Sequence, residues 1–219
     1  MRLAPLFCAS VLMLLSAAPL RSQTIDLAAA RASGKWHTVN RTASVVDSGG
    51  RTMLQFDEVP GGGMFWNSDV DIADGDIDVD IQGHDVYQKS FVGVVFHAAS
   101  DAVFDVVYVR QFNIRAADST HHAHAIQYAA YPDASWEKLR ADRPGAYEKA
   151  LPASIDPNAW MHLKLSMRGT ELKVFINGAS EPAMSVRMLG KSHGGVGLWV
   201  GDYSPGRFAN LRVTPMRTP

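Results

Sequence analysis

Cysteine is almost missing from this chain of 219 residues. Cys8 is the single one, so no disulfide within the chain is available and the fold must hold by burial alone. The length makes that feasible, because a chain of this size buries a core without covalent or metal staples. An excess of one charge is missing too. Lys and Arg number 21 against 22 Asp and Glu, a formal net charge of -1. No basic stripe rises above that balance, which argues against nucleic acid as a partner. The sequence also lacks internal repeats, coiled-coil heptads and low-complexity tracts.

Long apolar runs are absent except at the start. There Leu3 to Leu15 follows Met1-Arg2 and ends in the small residues Ser16-Ala17-Ala18. That is the pattern of a secretory signal peptide, too short for a spanning helix. It is predicted over 1–22, with Ala18 and Ser22 as the cleavage alternatives. Cys8 lies inside it, too early for lipid attachment, so a mature chain of 23–219 holds no cysteine and no membrane span. A disulfide-free exported domain predicts a secreted or periplasmic bacterial protein.

What is abundant is alternation. Between Gly75 and Tyr128 four β-branched or aromatic runs succeed one another: Asp76–Ile81, Phe91–His97, Phe104–Gln111 and His122–Tyr128. Bounded by turn residues, they read as antiparallel strands. Shorter candidates precede them at Trp36–Val39, Ser44–Val46, Thr52–Phe56 and Met64–Trp66. Further ones follow at Trp160–Met167, Leu172–Ile176, Gly194–Val200 and Phe208–Val213, with Asn177-Gly178 as a strong hairpin signal. This spacing predicts an all-β fold, a sandwich or a barrel. From Ala129 to Pro157 the rhythm stops. Ser135–Ala141 fits a short helix within a long loop around 132–150, predicted to bring Trp136, Arg140 and Tyr147 over the sheet.

Period-2 reading puts Ile77, Val79 and Ile81 in the core and Asp76, Asp78 and Asp80 opposite. In the next run Val92, Val94 and Phe96 face inward, which sends Gly93, Val95 and His97 outward. Over 104–112 we assign Val107 and Val109 to the core, because Arg110 is costly to bury unpaired. Tyr108 and Arg110 then face outward. With Asn113, Arg115, Gln127 and Tyr128 they offer planar donors, rings and hydroxyls to a polar, ring-shaped ligand. The alternative pairs Arg110 with the neighbouring Asp row.

His97, His122 and His124 are candidates for acid–base chemistry, with His122 and His124 expected on one strand face. Their spacing lacks an H-x-x-E-H type pattern, so no metal site is assigned to them. Trp199, alternating opposite Leu198, offers an aromatic platform. The acid run from Asp69 to Asp80 departs from the EF-hand pattern at Ala73 and reads as a solvated strand face. No cofactor is expected, though a structural calcium ion built from separate loops stays open.

Three pieces carry a family resemblance: WMHLKLSMRGTELKVFING, GGVGLWVGDYSPGRFANLRV, and SFVGVVFH with FDVVYVRQFNIR and HAIQY. The first two resemble the closing strands of concanavalin A-like lectin/glucanase jelly rolls, including laminin-G-type domains. The chain after the leader is similar to bacterial secreted proteins of the 3-keto-disaccharide hydrolase-like group. The resemblance implies an antiparallel two-sheet β-sandwich of jelly-roll type over 23–219.

It also implies a carbohydrate ligand on the concave sheet. The paired glutamates of laminarinase-type members, E-x-D-x-x-E, are absent. The Q-[IV]-H element of alginate-lyase types is absent as well, because Ile126-Gln127-Tyr128 lacks the histidine. The resemblance leaves two expectations. One is a glycoside hydrolase-like enzyme using His97, His122 or His124 as acid and base, with Arg110 stabilising developing charge. The other is a non-catalytic lectin-like or laminin-G-like binding or adhesion module. In either, Tyr108, Asn113, Arg115, Gln127, Tyr128, Trp136, Arg140 and Trp199 would contact the ligand.

Overall fold

Alternating burial along the strands builds the architecture. The computed structural model describes residues 22–216, so most of the expected leader lies outside the described residues. In chain order the first strands are β1 (Gln23–Thr24), β2 (His37–Val39), β3 (Ala43–Ser48), β4 (Arg51–Phe56) and β5 (Gly63–Ile72). Then come β6 (Gly75–Gln82), β7 (Phe91–Ser100), β8 (Val103–Arg110), β9 (Ile126–Tyr131) and β10 (Glu148–Lys149). The chain finishes with β11 (Met161–Arg168), β12 (Glu171–Ile176), β13 (Met184–Arg187), β14 (Gly194–Val200) and β15 (Gly206–Pro215). Three short helices interrupt them: α1 (Leu27–Ala32), α2 (Ser119–His122) and α3 (Trp136–Asp142).

Two antiparallel sheets result, and they pack face to face as a jelly-roll sandwich. One runs β13-β12-β11-β6-β15-β4-β3, with β1 added beside β15; the other runs β10-β9-β8-β7-β14-β5-β2. Among the described residues no helix is long and apolar enough to cross a membrane.

The core lies between the sheets and occupies the predicted faces. Register sets Ile81 opposite Met161, Val79 opposite Leu163 and Ile77 opposite Leu165. Across the second sheet, Val92 meets Val109 and Val94 meets Val107. All of these except Met161, at 2%, are fully buried, and burial of this kind contributes roughly 1.5–3 kcal/mol for each large apolar side chain.

The opposite side of β6 carries the acid row, and neighbouring strands answer it. Asp76 meets Lys164 at 3.1 Å and Arg168 at 2.9 Å. Asp78 meets Arg212 and His162, both at 3.3 Å. Asp80 meets His162 at 2.9 Å and Arg51 at 3.4 Å. The row is a cross-strand ion-pair ladder on the outer face of the first sheet.

Two local departures from the predicted strands move histidines. Asp118 accepts a hydrogen bond from the His121 N–H at 2.8 Å, capping α2. The strand expected from His122 therefore begins only at Ile126, so His122 and His124 do not share a strand face. In β7 the register shifts between Phe96 and Ser100, and His97 sits at φ +50. That bulge re-aims His97.

Candidate functional site

The outward face of the second sheet is crossed by one row of residues in direct register. Val39 stands opposite Met64, Met64 opposite Trp199, and Trp199 opposite Gly93. Gly93 in turn faces Tyr108, Tyr108 faces Gln127, and Gln127 faces Glu148. Directly opposed residues of an antiparallel pair project to the same side, so every strand of the sheet contributes one member.

Gly93 is what lets the middle of this row function. A Cβ there would lie 2.0 Å from the Val107 carbonyl oxygen and 2.6 Å from the Tyr108 Cβ. Without one, the Tyr108 and Trp199 rings close over the gap at 4.9 Å, tilted by 39°. Phe91 meets Tyr108 edge-on at 6.2 Å. Together these rings floor a hollow of about 630 Å³.

The far end of the row is charged. Arg110, one position beyond the Tyr108 row, has a side chain only 6% exposed. Its Nη1 donates to the His124 carbonyl at 2.9 Å and to Glu148 at 3.3 Å. Its Nη2 donates to the Tyr108 hydroxyl at 3.0 Å and to Gln127 Oε1. The guanidinium also lies 5.0 Å from the Tyr108 ring centroid and 5.9 Å from that of Trp136, within cation–π range.

Glu148 is the hub of this end. Its carboxylate is 2% exposed and accepts from Arg110 and, through both oxygens, from Arg140. The His124 Nε2 stands 3.3 Å away. Two guanidinium groups thus face one carboxylate, a charge-assisted arrangement that fixes the cations in place. Arg140 also lies 4.8 Å over Trp136. Ser135 caps the helix that carries both, and both border the hollow, whereas Tyr147, expected with them, is buried with its ring 5.6 Å from that of Tyr128.

These surroundings shift the titratable groups. Burial pushes the His124 imidazole below its usual range, and Arg140 and Arg110 add to this against the pull of Glu148. Burial raises the Tyr108 phenol well above its usual range. Burial, with Glu137 adding, pushes Tyr131 up to about 12. Both phenols remain protonated at neutral pH and serve as hydrogen-bonding groups.

Loops complete the walls. Arg41 donates to the Gly61 and Gly201 carbonyls at 2.5 and 2.7 Å, tying together two glycine segments that border the hollow. Asp202 and Asp101 line it, accepting from the Gly61 N–H at 2.6 Å and the Trp66 Nε1 at 2.8 Å.

The structure brings together Tyr108, Arg110, Asn113, His124, Trp136, Arg140 and Trp199, all bordering the hollow. Gln127 is fully buried beneath Arg110 and Tyr108. It supports them and does not line the space.

Four of the sequence-predicted residues stand elsewhere. His97 faces the interior, its Nδ1 3.7 Å from Asp105, because the bulge reverses its side. Tyr128 shares that inner face and donates to Asp105 at 3.0 Å. His122 ends α2 with its Nδ1 3.3 Å from the Asn113 carbonyl. Arg115 donates to the Ala153 carbonyl at 3.0 Å on the surface.

Sequence reasoning missed Glu148, Phe91, Tyr87 and the two aspartates. Glu148 had one available signal: a strand arginine facing away from the Asp row needs an acid from elsewhere. Among the described residues no group of three or more His, Cys, Asp or Glu side chains is arranged to hold a metal ion.

No protein-family model and no curated protein matches this chain. Solved structures share its fold. The carbohydrate binding module CBM66 from Bacillus subtilis superposes with a TM-score of 0.59 at 19% identity, covering 81% of this chain and 94% of the module. The exoplasmic/lumenal domain of VIP36, bound to Ca2+ and Man3GlcNAc, superposes with a TM-score of 0.55 at 11% identity, covering 85% and 87%. A Bacillus subtilis protein of unknown function with a galectin-like fold gives 0.52 at 13% identity, covering 83% and 89%. The chain therefore shares the two-sheet jelly-roll fold of these proteins.

Proposed function

We propose that this chain is an exported carbohydrate-binding module whose ligand occupies the hollow above Tyr108 and Trp199. One observation carries the reading: two tilted aromatic rings form a floor, and a fixed cluster of Arg110, Arg140, Glu148 and His124 stands at its edge. A sugar ring presents an apolar face of C–H groups and a rim of hydroxyls. Aromatic rings match the first, and the polar side chains that line the hollow, Arg140, His124, Asp101 and Asp202 among them, match the second. A carbohydrate binding module and a Man3GlcNAc-bound domain among the fold neighbours support the same reading.

Binding fits this geometry better than glycoside cleavage. The three histidines expected to act as acid and base do not converge, since His97 lies on the other face of the sheet. Both terminal nitrogens of Arg110 are already committed to protein partners, so it has little left for developing charge. The test is a panel of immobilised glycans probed with the wild type and Trp199→Ala. The wild type should retain at least one glycan, and the variant should lose roughly tenfold or more in affinity. No retention on any glycan would overturn the reading, and release of reducing sugar would move it to a hydrolase.

A further inference from the structure

Large apolar side chains exposed to water are few among the described residues, and they are not scattered evenly. Val86, Tyr87 and Tyr203 stand out beside the hollow, with Tyr87 59% and Tyr203 43% exposed. Tyr87 lines the hollow itself, and Tyr203 comes directly after Gly201 and Asp202, which also line it.

Both rings are held in place. Tyr87 meets Phe112 edge-on at 5.5 Å and His121 at 6.0 Å. Lys89 reaches over the Tyr203 ring at 5.6 Å and is itself anchored to Glu58 at 2.9 Å. The backbone beside them is strained. Gln88, next to Tyr87, has φ +58, and Tyr203 has φ +46. For a bulky residue this region is an outlier. The Tyr203 N–H is fixed by the Val59 carbonyl at 3.1 Å. Tyr87 adjoins the floor through Phe112 and Phe91, whose rings meet at 5.2 Å, and Tyr203 stands in water next to Asp202 at the margin of the hollow.

We propose that Tyr87 and Tyr203 form an outer subsite for a further sugar ring, so that the ligand is an oligosaccharide extending beyond the hollow. This rests on the carbohydrate reading above. The chemistry matches the inner floor: phenol rings offer a stacking face and hydroxyls that remain solvated. The charged end at Glu148 lies across the sheet from the loop that carries Tyr203. A bound chain would therefore run from the Arg140 end outward over Asp202.

The experiment is calorimetric titration with β-glucan, mannan, xylan and fructan oligosaccharides of one to about six units. Wild type, Tyr203→Ala and Trp199→Ala are compared. For the series that binds, wild-type affinity should rise about tenfold between the shortest ligand bound and the longer ones, the size of one added ring contact. Tyr203→Ala should lose most of that gain while holding the shortest ligand within about twofold. Trp199→Ala should weaken every length.

A wild-type affinity that does not grow with length overturns the outer subsite and leaves the inner site standing. So does an equal loss at all lengths in Tyr203→Ala. No binding at any length overturns both.

Discussion

Tyr108 and Trp199 meet across Gly93, a glycine whose missing Cβ is the condition for their contact. The relationship makes a small change consequential. Gly93→Ala would force a methyl against the Val107 carbonyl and the base of Tyr108, in a sheet with little room to shift. The expected outcome is a stability loss of about 1–3 kcal/mol from overpacking, together with weakened ligand binding. Urea denaturation and titration of the purified variant check it, and unchanged stability would refute the packing argument.

Glu148→Gln should be costly for a different reason. It keeps the shape and removes the charge that balances Arg110, whose side chain is almost wholly buried. Breaking such a pair from one side costs about 3 kcal/mol or more, because the surviving ion stays desolvated. Arg140→Gln should cost much less, since that side chain is 35% exposed. Denaturant midpoints of the two variants decide the matter, and equal losses would contradict this.

The His124 shift predicts a pH dependence. Its folded-state pKa lies below the ordinary imidazole value, with burial as the leading cause. Below that ordinary value the unfolded chain takes up a proton that the folded chain refuses. Stability is therefore fully present above about pH 6.5 and falls as pH drops through that value toward the folded one. His124→Gln should flatten this part of the profile. Thermal denaturation between about pH 5 and pH 7.5 measures it, and a variant profile as steep as the wild type would count against the assignment.

Tyr128 separates the two faces of the sheet experimentally. Its hydroxyl donates to Asp105 at 3.0 Å and accepts from the Leu189 N–H at 2.6 Å, both on the core side. Tyr128→Phe should cost about 1–3 kcal/mol through unsatisfied buried partners and leave ligand affinity unchanged. A variant that folds as well as wild type but no longer binds would put Tyr128 back in the site.

The fold was largely legible because alternation is a local signal. Val92, Val94, Val107 and Val109 declare their side by neighbours two positions away, and each is fully buried as read. His97 escaped because a bulge resets the count without marking the strand's own sequence. The close approach there is marked only on the partner strand, where a Cβ at Gly194 would come within 2.6 Å of the His97 carbonyl carbon.

The site was legible where it rode on that alternation, as with Tyr108, Arg110 and Trp199, and where a break in it marked a loop, as with Trp136 and Arg140. Glu148 and Arg110 are separated by 38 positions, and nothing local in 145–150 reports which cation its acid will meet. Likewise, Asp118 turned a predicted strand start into a helix through one capping bond.

The row from Val39 to Glu148 draws a single position from each strand, while the reverse side of the same sheet fills the interior. Preference for one ligand over another can therefore drift strand by strand without loosening the scaffold. Proteins built on this sandwich can come to recognise unlike molecules while keeping hardly any residues in common.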